Sequence, residues 1–285
     1  MNTISKIDYS ALDRPEVLLF LFHPRPEPAS PPSAAFESGT VAVGVQEILI
    51  PVEKDVVIGA RFHMSETSNA CILFFHGNGE IVADYNELGA VYNQMGINFL
   101  AVDYRGYGRS TGTPTVTAMM HDCHIVFDFA RKWLQENNFS GPIILMGRSL
   151  GSASVLELAG AYKNLVDGLI VESGFAYAGP LLKRLGINLE ALGFKENKSF
   201  RNIDKISDFD KPALIIHAEF DHIIPFSDGQ ALHDACPSAD KALLKISGAN
   251  HNDIFMRGLQ EYLAAVKKLV ENVKEKQVPP GTKLF

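Results

Sequence analysis

Cysteine is scarce in this sequence: three residues in 285, at positions 71, 123 and 236. An odd number at wide spacing, with no C-x-x-C pair, argues against a disulfide framework and suits reduced thiols in a cytoplasmic compartment. Long hydrophobic runs are also missing. Near the N-terminus only residues 17–22 are continuously apolar, too short for a signal-peptide core or a spanning helix, so no integral membrane segment is expected. Nor is there an excess of positive charge: 26 Lys and Arg face 33 Asp and Glu, a net charge of −7. Such a surface repels a phosphate backbone, which excludes a nucleic-acid partner. The densest basic stretch, Lys267, Lys268, Lys274 and Lys276, alternates with glutamates and reads as a solvated helix face. His121 and His124 share one face of a helix, but no third or fourth ligand stands at a useful spacing, so neither metal nor cofactor is expected.

What the chain does have is regular alternation of apolar strands and amphipathic helices. Residues 1–45 form a proline-rich arm. Prolines at 24, 26, 28, 31 and 32 forbid helix or central strand in its middle, and the apolar run 17–22 needs cover, so the arm is expected to pack on the domain. Residues 47–52 and 56–64 read as a hairpin. Apolar runs at 71–75, 99–102, 143–146, 168–171, 213–217 and 242–246 read as buried strands. Helices are expected over 84–95, 115–135, from residue 152, over 227–235 and over 253–274. The stretch 173–206 loses the alternation and reads as short helices, a small cap-like insertion after the sixth strand. The pattern implies one α/β domain over residues 46–275 with a mostly parallel sheet and helices on both faces, followed by a tail at 276–285.

In such a sheet, chemistry gathers in the loops at the carboxyl ends of strands. The strand ending at Met146 runs into Gly147-Arg148-Ser149-Leu150-Gly151 and then into a helix. A serine between two glycines at a strand-to-helix turn is exposed above the sheet, where developing negative charge is favoured, so Ser149 is the candidate nucleophile. A serine hydroxyl needs an imidazole base and the base an orienting carboxylate. His251, on the loop after the strand 242–246, is the candidate base. Asp221, after the strand 213–217, is the candidate acid, with Glu172 at the end of another strand as the alternative. The chain order Ser149, Asp221, His251 is that expected of α/β-hydrolases. An oxyanion needs backbone N–H donors; the amides of Leu150 and of Asn78, in the His76-Gly77-Asn78-Gly79 loop, are the candidates. His76, Asp103 and Arg105 are expected to brace these loops, and His217, His222 and His233 to be structural or surface residues. Phe175, Tyr177 and Ile224 are the candidate walls of the substrate pocket, with Phe194 and Phe200 pointing to a partly apolar substrate.

These motifs, together with Asp103-Tyr104-Arg105-Gly106-Tyr107-Gly108 and Gly248 to His251, resemble the α/β-hydrolase superfamily, and within it the BEM46-like serine hydrolases, which include acyl-protein thioesterase relatives. The resemblance spans residues 47–275. It implies the α/β-hydrolase fold and esterase or thioesterase activity on a small-molecule substrate, through an acyl-enzyme and without a cofactor. Asn78-Gly79-Glu80 stands where relatives often carry small residues. The cysteine-rich N-terminal segment that anchors depalmitoylating members is not found in this sequence, which speaks against a membrane-bound depalmitoylase. Acyl transfer by the same three residues, or a binding protein of the same fold, are the alternative readings.

Overall fold

Alternate residues of each central strand serve opposite sides of one sheet, and this pattern sets the layers of the molecule. In the strand Cys71–Phe75, Cys71, Leu73 and Phe75 join one apolar core while Ile72 and Phe74 join another. Period-two alternation with both faces buried requires helices on both sides. The computed structural model describes residues 7–28 and 44–277.

Eight strands run β1 (Gly44–Glu53), β2 (Val56–Met64), β3 (Cys71–Phe75), β4 (Asn98–Val102), β5 (Ile143–Arg148), β6 (Gly168–Glu172), β7 (Ala213–Ala218) and β8 (Lys241–Ile246). Their spatial order is β1-β2-β4-β3-β5-β6-β7-β8. The β1–β2 and β2–β4 pairings are antiparallel and the rest parallel. The helices are α1 (Pro15–Leu21), α2 (Asn86–Gln94), α3 (Val116–Glu136), α4 (Gly151–Ala161), α5 (Ala178–Arg184), α6 (Leu189–Leu192), α7 (Asn202–Ile206), α8 (Phe226–Ala235) and α9 (Ile254–Gln277). Buried residues of α1, α3, α4 and α8 share the core with Leu73, and those of α2 and α9 share the core with Phe74. The small insertion, α5 to α7, follows the sixth strand. No helix among the described residues is long and apolar enough to cross a membrane.

The apolar run at 17–22 is largely helix rather than extended chain. Pro15 takes the first helical position, where its missing N–H costs nothing. Val17 and Leu21, one turn apart, are buried in the core, while Leu19 and Phe20 keep part of their surface open. After α1 the chain runs extended. Pro26 bridges Gly108, and Glu27 pairs with the nearly buried Arg61 at 2.8 Å. At the other end of the segment the Tyr9 hydroxyl donates to Glu157 at 3.0 Å, and Lys205 lies 2.6 Å from the same carboxylate. Burial works against the Glu157 charge, but the His124 hydrogen bond and Lys205 outweigh it and hold the carboxyl at about 2. The proline-rich stretch beyond residue 28 and the tail from 278 lie outside the described residues.

Candidate active site

Ser149 sits in the left-handed region at φ 51°, between β5 and α4. A non-glycine residue there is strained, and the surroundings must hold it. They do so at both ends: the Ser149 N–H donates to the Glu172 carbonyl at 2.8 Å, and its own carbonyl accepts from the Ser152 N–H at 3.0 Å and hydroxyl at 2.6 Å. The flanking glycines have a steric reason. A Cβ on Gly147 would lie 2.4 Å from the Gly151 carbonyl oxygen, and one on Gly151 would lie 2.1 Å from that of Phe75. Only bare backbone lets β3, β5 and α4 approach this closely.

The serine, the histidine and the aspartate meet. His251 Nε2 lies 3.0 Å from Ser149 Oγ, and Nδ1 lies 2.6 Å from Asp221 Oδ2. Asp221 Oδ1 accepts the N–H groups of Ile223 and Ile224 at 3.0 and 2.7 Å, so the turn after β7 fixes the carboxylate plane. Burial works to raise the Asp221 pKa, but the hydrogen bond and charge of His251 outweigh it and hold the group below its ordinary value. Glu172, the alternative acid, is engaged elsewhere: its Oε2 accepts from the Tyr262 hydroxyl at 2.7 Å and its Oε1 lies 3.0 Å from Arg148 Nε.

The loop after β3 stands opposite. Its Gly77 N–H donates to Glu80 Oε2 at 2.6 Å, and the Tyr104 hydroxyl donates to the His76 carbonyl at 2.7 Å. His76 Nε2 lies 3.2 Å from Asp103, which also takes the Val82 N–H. Arg105 lies against Asp122 and Glu53, tying β1 to α3. The N–H groups of Asn78 and Leu150 are given to no other group among the described residues.

Ser149 and His251 open on a cavity of about 300 Å³, walled by Leu181 of α5 and Leu185 just after it, and by Ile223 and Ile224. The structure corrects two expected wall residues. Phe175 is buried in the core, its ring 5.2 Å from that of Phe200, and Tyr177 faces solvent; neither lines the cavity, whereas Ile224 does. The start of the insertion, before α5, turns away from the cavity, which is reached within α5 itself. Phe20 and Leu21 of α1 line it too. No sequence signal pointed to them, since a helix face shows that it is apolar but not which partner it meets. His217 donates its Nε2–H to the Ile224 carbonyl at 2.8 Å, behind Asp221. His222 is exposed and His233 half-buried beside Asp234. His121 and His124 diverge, the latter turning to Tyr162 and Glu157.

A strained serine on a strand-to-helix turn, with a histidine and a carboxylate arriving from later strand ends of a mostly parallel sheet, defines a hydrolase-type site on an α/β scaffold. The comparisons with known proteins agree. Residues 66–193 match the family model described as "Serine aminopeptidase, S33". Alpha/beta hydrolase domain-containing protein 17C of Xenopus tropicalis is 31% identical over 234 residues, covering 77% of this chain and 68% of that one. Protein 17B of the human family is 32% identical over 216 residues, covering 72% and 68%. The mouse 17C protein is 31% identical over 232 residues, and there the chain spans 65% of the relative's own length. Among solved structures, the Pyrococcus furiosus esterase Pf2001 superposes with a TM-score of 0.66 at 17% identity, covering 85% of this chain and 98% of that one. Est1E of Butyrivibrio proteoclasticus, solved with ferulic acid bound, superposes with a TM-score of 0.64 at 21% identity, covering 79% and 99%. The chain belongs to the α/β-hydrolase superfamily.

Proposed function

We propose that this protein is a serine hydrolase that cleaves a carboxylic ester or thioester of a small to medium acyl group. The observation that carries this reading is the unbroken line of contacts from Ser149 Oγ through the His251 ring to Asp221, 3.0 and 2.6 Å long, opening on a partly apolar cavity. Ser149 Oγ attacks the carbonyl carbon while His251 Nε2 takes its proton. Asp221 holds the ring in the tautomer that leaves Nε2 free and then stabilises the imidazolium. The amides of Leu150 and Asn78 receive the oxyanion, aided by the N-terminal end of α4. Collapse of the tetrahedral intermediate expels the alcohol or thiol, protonated by His251. Water then attacks the acyl-enzyme by the same steps in reverse.

The matched family model is named for an aminopeptidase, whose substrate carries a cationic amino terminus. Here the carboxylate bordering the cavity, Glu80, is already paired with Arg148, the Gly77 N–H and the Tyr85 hydroxyl, and Phe20, Leu21, Leu181, Leu185, Ile223 and Ile224 give the cavity apolar wall beside its polar residues. Both features favour an acyl chain. The three cysteines are buried free thiols, which supports a reducing, cytoplasm-type compartment.

A fluorophosphonate probe should label Ser149, and Ser149→Ala should abolish labelling and lower the hydrolysis of p-nitrophenyl esters by roughly four to six orders of magnitude. Unchanged turnover in the variant would remove the mechanism. Faster cleavage of aminoacyl p-nitroanilides than of any ester would replace the substrate class.

A further inference from the structure

Resting on that reading of Ser149, we infer that the N-terminal segment around α1 determines which acyl groups the site accepts, with Phe20 as the specificity-determining residue and His23 as a positioning residue for the oxyanion loop. Beside Ile223 and Ile224, the cavity takes apolar lining from two further segments. One is the insertion, with Leu181 and Leu185, and the other is the arm, with Phe20 and Leu21. Their situations differ. Leu21 is committed to the core, whereas Phe20 is 39% exposed although it lines the cavity. A half-open aromatic ring at the wall of a reactive cavity is surface that an apolar chain would cover on binding.

The same segment holds the loop that carries the Asn78 amide. Asn78 Oδ1 accepts from the His23 N–H and from the Tyr107 hydroxyl, each at 2.7 Å. Asn78 Nδ2 donates to His23 Nδ1, also at 2.7 Å. Arg25 Nε donates to the Gly79 carbonyl at 2.8 Å, and its guanidinium pairs with Asp84. The segment is pinned on both sides of this contact, by Tyr9 on Glu157 and by Glu27 on Arg61. Phe20 is therefore held at the wall of the cavity that Ser149 lines, and the side chain of Asn78 is fixed while its backbone N–H stays free for substrate. A wall placed this way discriminates by the length of the chain it admits, and one methylene in an apolar pocket is worth about tenfold or more in kcat/KM.

The test measures kcat/KM for p-nitrophenyl esters from acetyl to dodecanoyl on the wild type, Phe20→Ala and Phe20→Trp, with fluorophosphonate labelling of each. Phe20→Ala should raise the long-to-short ratio by about tenfold and Phe20→Trp should lower it. Both leave the Val17 and Leu21 anchors in place. His23→Ala removes a ring that borders the cavity and accepts from Asn78 Nδ2, and should lower kcat for every ester, acetyl included; wild-type kcat on the acetyl ester would show that His23 does not position the loop. A labelled wild type with the same chain-length profile in both Phe20 variants overturns the inference and leaves the hydrolase reading standing. A wild type that neither labels nor turns over any ester removes both.

Discussion

Arg148 Nη2 donates a hydrogen bond of 2.7 Å to the backbone carbonyl oxygen of His251. The residue before the serine thus holds the loop that carries the histidine, 103 positions further along the chain. The same guanidinium pairs with Glu80, which takes the Gly77 N–H of the opposite loop, and lies 3.0 Å from Glu172. Burial disfavours the Arg148 charge, but Glu80, Tyr85 and Glu172 outweigh it and push its pKa up. One cation therefore joins three of the loops that meet at Ser149.

Arg148→Lys should keep the charge and lose the fork that reaches several partners at once. A displacement of the histidine loop by a fraction of an ångström to an ångström lowers kcat by about a hundredfold. Steady-state kinetics well below the melting temperature, together with the rate of fluorophosphonate labelling, checks this. Wild-type kcat in the lysine variant would show that the staple does not position His251.

Asp221→Asn should lower kcat by about three to four orders of magnitude at neutral pH, because an amide no longer selects the tautomer with Nε2 free. Glu172→Gln should leave kcat within about tenfold and act on stability instead, since its contacts are Arg148 and Tyr262. Comparing kcat and melting temperature in the two variants separates the roles. An equal loss of kcat would make Glu172 part of the reacting set.

Gly151→Ala should destabilise the protein by about 3 kcal/mol, an overpacking cost at the upper end of the usual range. The added Cβ would lie 2.1 Å from the Phe75 carbonyl oxygen, which is backbone and has nowhere to move. Denaturant unfolding measures the change. A variant as stable as the wild type would contradict the close approach of β3 and α4.

Stability should fall as the pH drops from 6.5 towards 4. Burial, with the nearby charge of Arg61, pushes the pKa of His63 from 6.5 down to about 4. Between these values the unfolded chain binds a proton that the folded one does not, so folding weakens as the pH falls and the contribution is complete only above 6.5. The span corresponds to about 3 kcal/mol at most. His217 is shifted the same way by burial and adds to the slope. Unfolding curves across this range should show the slope in the wild type and a shallower one in His63→Gln. Parallel curves would place the titration elsewhere.

Much of the scaffold could be read from residue order. Continuous apolar runs placed the central strands, the glycine spacing at 147 and 151 placed the turn, and the positions of Ser149, Asp221 and His251 after three different strands, β5, β7 and β8, put them at the same edge of a parallel sheet. These are local rules, decided by neighbours a few residues away. The hydrogen bonds among the three side chains, the choice between Asp221 and Glu172, and the walls of the cavity are not local. Phe175 and Tyr177 looked like pocket residues because they follow a strand end; packing against Phe200 took one inward and left the other in solvent. Phe20 and His23 belong to an arm expected to pack on the domain, but at no particular place; α1 docking on the core put one against the cavity and the other on Asn78. The sequence by itself determined which residues are apolar, which are polar and where the glycines stand. Only the tertiary structure decided which of them face each other, because the energy of burying a face depends on the surface it meets, and that surface comes from a distant part of the chain.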